Sequence, residues 1–154
     1  MNLFDAAYQA LMWRDPTEKM RQVRELHAAW RAGQVDRSAA AGPVAVPVPG
    51  RPERPLLVVP RDLAQRGLGT SEGRVALIHA VAHIEFNAIN LALDAVYRFR
   101  DMPDDYYADW LSVAADEARH FELLAARLAG LGHRYGDLPA HNGLWEAACR
   151  TADD

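Results

Sequence analysis

Three residues of this chain have the types and spacing for metal chemistry: Glu85, Glu117 and His120. The run Glu117-Ala118-Arg119-His120 sets a carboxylate and an imidazole three positions apart. On a helix such residues occupy neighbouring turns of one face. At about 100° per residue they differ by only about 60° around the axis, so both can reach one ion. Trp110, Val113, Ala114, Phe121, Leu124 and Leu128 fall within about 60° of Glu117 by the same geometry, which places the carboxylate near the centre of its helix's most apolar stripe. A carboxylate there must be paired, protonated or bound to a metal. Glu85 repeats the pattern, as the one charged residue on a face shared with Ile78, Val81, Ala88, Ile89, Ala92 and Val96.

The elements that position these residues follow from punctuation and periodicity. Asp15-Pro16 separates two short N-terminal helices, near 3–13 and 16–32, with Asp15 as cap and Pro16 in the first turn. The stretch 33–58 holds Gly42-Pro43, Pro47, Pro49-Gly50, Pro52 and Pro55, and is read as an extended segment draped over helices. Leu56-Leu57-Val58-Val59 is a short extended piece with no evident partner strand. A long helix runs from a cap at Thr70 or Ser71 to about Arg100, where Met102-Pro103 breaks it. A second starts near Pro103, with Asp104 and Asp105 favourable in its first turn, and stops at Gly132. A third begins around His141–Gly143. The segments are 1–32, short helices; 33–70, proline-rich; and 71–154, a helical hairpin with the start of a third helix.

The short connection makes the two long helices antiparallel neighbours. Glu85 lies about 22 Å before the break near Arg100 and Glu117 about 24 Å after it, at 1.5 Å per residue. The two carboxylates thus arrive at nearly the same depth.

Ordinary readings compete. An isolated Glu-x-x-His is commonly a surface pair, and a buried Glu can bridge an Arg, although Arg119 and Arg127 point away from the stripe. His79 and His83 lie well over 100° from Glu85 and suit a packing or second-layer role better than ligation. Asp116 is off the stripe, Tyr106 is on the Glu117 face three turns earlier, and Cys149 belongs to no motif.

Composition sets outer limits. The 154 residues, half of them hydrophobic, suffice for one globular domain. A net charge of −4 offers no reason to expect nucleic acid or an anionic membrane surface. One cysteine precludes an internal disulfide, and neither a secretory signal nor an uninterrupted apolar span is evident, so a cytoplasmic setting is expected.

The longer motifs His79-Ala80-Val81-Ala82-His83-Ile84-Glu85, Asp116-Glu117-Ala118-Arg119-His120-Phe121 and Tyr135-Gly136-Asp137-Leu138-Pro139-Ala140-His141-Asn142-Gly143-Leu144-Trp145 resemble those of a largely uncharacterised bacterial family of ferritin-like proteins, a domain of unknown function. The resemblance covers roughly 72–152, with a compatible N-terminal part. It implies an all-α, ferritin-like bundle binding two iron or manganese ions through one Glu from each of two helices and one Glu-x-x-His from each of the other two. Glu85 matches the first-helix Glu, Glu117 and His120 the second-helix pair, and Glu117 the bridging carboxylate. The sequence departs from the pattern after His120, where no further Glu-x-x-His follows. The expectation is a bundle truncated before its third and fourth core helices, which a homodimer of hairpins would complete. The implied function is a di-iron or di-manganese oxidoreductase; the alternative is a non-catalytic structural or metal-binding helical module lacking a complete di-metal site. Pro52-Glu53-Arg54-Pro55 also fits a P-x-x-P ligand, a pattern frequent by chance.

Overall fold

The computed structural model describes residues 1–38, 41–59, 67 and 69–151; the rest of the 33–70 segment and the last three residues lie outside the described residues. Among the described residues five helices follow in order: α1 (Leu3–Met12), α2 (Pro16–Arg31), α3 (Ser71–Arg98), α4 (Asp104–Gly130) and α5 (Gly143–Arg150). The protein is an all-helical bundle.

Local chemistry sets the helix ends. Asn2 Oδ1 accepts from the Phe4 and Asp5 amides at the start of α1. Asp15 accepts from the Glu18 amide ahead of Pro16, and Thr70 Oγ1 from the Gly73 amide, each meeting one of the donors a helix start leaves free. Asp104 and Asp105 replace a side-chain cap at α4 by complementing the helix dipole. Past α4, Gly132 takes a left-handed φ of 81°, which a residue without Cβ adopts at no steric cost.

The α3–α4 hairpin is the centre of the fold. Its turn, Phe99–Pro103, is closed by two tyrosines of α4. The fully buried Tyr107 hydroxyl donates to the Phe99 carbonyl at 2.8 Å, and Tyr106 donates to the Ala95 carbonyl at 2.9 Å. Helix α1 packs on α3, α2 packs on α4, and α1 and α2 pack on each other. The core they enclose contains Leu3, Ala7, Leu11, Met20, Val23 and Leu26 against Phe86, Ile89, Leu93, Leu111, Ala114 and Phe121.

The inward face of α3 differs from the expected stripe. Ile89, Ala92 and Val96 are buried, but Leu77 is 49% exposed and Ile78, Val81 and Ala88 are only partly covered. The reason is that α3 is apolar on nearly every side, so periodicity could not select a face. The polar residues His79, His83, Asn87, Asn90 and Asp94 are buried as well. Irregular chain supplies partners for the two histidines, whereas Asn90 Oδ1 accepts from Lys19 and Asp94 pairs with Arg98. His79 accepts from the Gly136 amide at 2.9 Å, and further along α3 the Tyr97 hydroxyl accepts from the Val44 amide at 2.9 Å. By length and composition α3 could cross a membrane, yet half of its most apolar window is buried inside this bundle. Leu56–Val58 does find a partner: Val58 donates to the Ala140 carbonyl at 2.7 Å and Ala140 to that of Leu56 at 2.9 Å. Trp145 of α5 is buried, and its indole donates to the Pro47 carbonyl, fixing the proline-rich segment from the other end.

Lys19 is the most unusual core residue. It is fully buried and donates to the carbonyls of Ala10 and Leu11, at 3.0 and 2.7 Å, and to Asn90 Oδ1 at 2.7 Å. Two of these acceptors are the last carbonyls of α1, which the helix itself leaves unpaired. Desolvation pushes the ammonium down to about 7, while three acceptors satisfy it in the charged form. Lys19→Met keeps the stem but leaves Asn90 Oδ1 without a donor and strips one from the Ala10 and Leu11 carbonyls, which keep the Trp13 and Gly50 amides, so it should destabilise the fold by about 2 kcal/mol, a buried acceptor left unpaired costing roughly 1–3 kcal/mol. Urea unfolding should show a lower midpoint at unchanged slope; an unaltered midpoint would contradict the role assigned to Lys19.

Candidate metal centre

Glu85 is carried by the middle of α3, and Glu117 and His120 by the middle of α4. The closed turn at one end of the hairpin brings these levels together. One ligand atom from each of the three lies within 4.8 Å of the others. His120 Nδ1 stands 3.5 Å from Glu117 Oε2 and 3.8 Å from Glu85 Oε2. Two ligands on one ion with bonds of about 2.1 Å are separated by roughly 3–4 Å, so these spacings suit a shared ion. Among the described residues this is the one such group of histidine, cysteine and acidic side chains.

The burial of the group corrects the sequence reading. Glu117 is not at the centre of a buried stripe. Its side chain is 24% exposed, that of Glu85 is 19% and that of His120 is 43%. The dry face of α4 is centred on Leu111, Ala114, Ala118 and Phe121, which meet α3 and the N-terminal helices. Val113, expected inside, is exposed. Helical geometry gave the stripe its width but not the direction from which neighbours arrive. The triad therefore lies at the margin of the α3–α4 seam, where water and ions have access.

His120 also carries a neighbour that the spacing did not reveal. Its Nε2 accepts from the Arg119 guanidinium at 3.3 Å, which puts the proton of a neutral ring on Nδ1, facing the carboxylates. Binding an ion through Nδ1 requires the ring to move that proton to Nε2 and Arg119 to swing aside.

His79 and His83 are not part of this group. Both are buried on the other side of α3. His83 Nδ1 is 2.8 Å from the Tyr135 hydroxyl and its Nε2 is 2.8 Å from the His141 carbonyl. Desolvation holds both rings below the ordinary histidine range, His79 at about 4, with the neighbouring His83 adding to the shift. They act as clasps for residues 135–141. Asp116 is exposed, and Tyr106 is committed to the turn.

Comparison with known proteins gives a family. The family model described as "Protein of unknown function (DUF455)" matches residues 12–154, and the chain belongs to that family. It is similar to an "Uncharacterized protein" of Haemophilus influenzae (strain ATCC 51907 / DSM 11121 / KW20 / Rd), with 51% identity over 110 residues. That match covers 67% of this chain and 38% of the relative, so the chain spans well under half the relative's length. No solved structure matches the chain.

The clasp has a pH signature. An unfolded His79 binds its proton near 6.5, whereas the folded one resists protonation to about 4. Unfolding takes up a proton between those values, so stability should fall as pH drops from 6.5 towards 4. His79→Gln, whose amide oxygen can accept the same Gly136 N–H, should flatten that part of the stability–pH curve. An equally steep curve in the variant would show that His79 is not buried neutral.

Proposed function

We propose that this DUF455 protein is a ferritin-like carboxylate/histidine metal-binding protein of the di-iron or di-manganese oxidoreductase type. The observation that carries the reading is the convergence of Glu85, Glu117 and His120 from two antiparallel helices at ligand spacing. Two carboxylates and one imidazole form a donor set that suits Fe(II) or Mn(II). Three protein ligands leave coordination positions free, and a redox-active ion held there supplies the means to activate dioxygen or peroxide. The chain's own contribution is positional. Glu85 and Glu117 bring negative charge to a partly desolvated seam, Glu117 suits a bridge between two ions, and His120 contributes a neutral nitrogen once Arg119 releases it.

In this reading α3 and α4 are the first half of a ferritin-like core, and the second half comes from another hairpin. A homodimer with two-fold symmetry would supply two Glu and two Glu-x-x-His in all, the ligand count of a di-metal bundle. The half-exposed Trp110 and Leu124 and the exposed Val113 beside the triad are the apolar surface such a hairpin would cover. The acidic net charge and lack of a basic stripe favour a small-molecule substrate over nucleic acid, in a cytoplasmic setting.

A second reading, a non-catalytic helical module, is favoured by the 43% exposure of His120. Metal content separates the two. Protein equilibrated with Mn(II) or Fe(II) should hold one ion per chain and sediment as a dimer. Glu117→Ala should lower the affinity by more than the roughly 10- to 100-fold cost of losing a second-layer partner, with helicity unchanged. Monomeric, metal-free protein unaffected by Glu117→Ala would leave the structural module as the function.

A further inference from the structure

On the far side of α3 from the ligand triad, a tyrosine and a histidine form a hydrogen-bonded pair that the clasp alone does not require. The His141 carbonyl can only accept, so the proton on His83 sits on Nε2, which donates to it across 2.8 Å. His83 Nδ1 is then a bare acceptor, and the Tyr135 hydroxyl donates to it, also across 2.8 Å. Asn87 Nδ2 stands 3.0 Å from Nε2, and turning the amide over, which exchanges its nitrogen and oxygen, presents a second acceptor there. The tautomer is thus fixed by its partners, and the phenol points its proton at the one free base beside it.

The ring of Tyr135 is held by aromatic neighbours on several sides. Phe121 meets it edge-on at 5.0 Å, Phe86 stacks at 5.7 Å and His79 stacks at 5.4 Å between centroids. Phe86 follows Glu85 in α3, and Phe121 follows His120 in α4. One layer of aromatic side chains, themselves in contact at 5.6 Å, therefore lies between the backbone that carries the ligands and the Tyr135–His83 pair. Burial also pushes the Tyr135 phenol well above its ordinary range, so it does not ionise unaided.

We infer that Tyr135 is a redox-active residue that gives up one electron while passing its phenolic proton to His83. This rests on the metal reading above for its oxidant, a one-electron acceptor produced where the proposed centre meets dioxygen or peroxide. In the step the Tyr135 O–H bond breaks. Its proton moves to His83 Nδ1, one electron leaves for the oxidant, which is reduced by one, and the products are a neutral tyrosyl radical and an imidazolium. The imidazolium stays hydrogen-bonded to the His141 carbonyl and the Asn87 amide oxygen. Phe86, Phe121 and His79 cover part of the ring that carries the radical.

Two experiments decide it and separate its failure from that of the metal centre. In the metal-free chain, photogenerated tris(bipyridine)ruthenium(III) should oxidise Tyr135 in preference to Tyr8, Tyr97, Tyr106 and Tyr107. Tyr135→Phe, which keeps the ring packing, should then lose most of the early tyrosyl absorbance, while Tyr106→Phe keeps it. An equal yield in wild type and Tyr135→Phe overturns the inference whether or not metal binds. In chain loaded with Fe(II) and treated with hydrogen peroxide, freeze-quenched samples should show a tyrosyl paramagnetic resonance signal that narrows on ring deuteration of tyrosine and vanishes in Tyr135→Phe. If metal binds and peroxide is consumed but the signal is absent or survives that substitution, Tyr135 is a clasp only. If no metal binds, the metal reading fails and the ruthenium result alone decides Tyr135.

Discussion

Everything in this bundle depends on the closed turn between α3 and α4. Tyr107 and Tyr106 each spend a hydroxyl on a carbonyl at the end of α3, so the two helices cannot slide against each other without leaving buried polar groups unpaired. That register sets which residues face one another over the length of the hairpin. It places the level of Glu85 beside the level of Glu117 and His120, and it lines up Phe86 with Phe121 one position further inward. The N-terminal helices then cover the dry side, with Lys19 tying the end of α1 to Asn90 in the middle of α3.

Helix α3 serves three environments at once. Its dry face meets α1 and α4. One flank brings Glu85 to the margin of the seam. The other carries His79, His83, Asn87, Asn90 and Asp94 beneath irregular chain. A segment rich in proline cannot pair its backbone in a sheet or a helix, so its polar groups need side-chain partners. Tyr97 and Trp145 provide them at Val44 and Pro47, while His79 and His83 do the same for the turn at 135–141. A single helix thus separates a partly wet, acidic margin from a closed region of neutral histidines and aromatic rings.

The contrast between the two sides has a chemical consequence. Carboxylates at an accessible margin can take up an ion without a large desolvation cost. Histidines deep under the strap are held neutral by burial, and their nitrogens are engaged in hydrogen bonds. Histidine content alone says little about ligation in this chain. His120, the most exposed of the three triad residues, stands at ligand spacing, whereas the buried His79 and His83 hold the chain in place.

The sequence by itself determined the helices, the caps at Asp15 and Thr70 and the level match of Glu85 with Glu117, because these depend on rise per residue, local hydrogen bonding and a short turn. The Glu117–His120 pairing was legible for the same reason. What only the tertiary structure decided was direction. The wide apolar surface of α3 is compatible with several inward faces, and the arrival of α1 and α2 selected the one through Phe86 and Leu93, leaving Leu77 outside. The same packing leaves Glu117 at the margin of its stripe instead of the expected centre and buries the polar row of His79, His83, Asn87, Asn90 and Asp94. The Tyr135–His83 pair joins residues 52 positions apart across irregular chain, a contact to which no helical period applies.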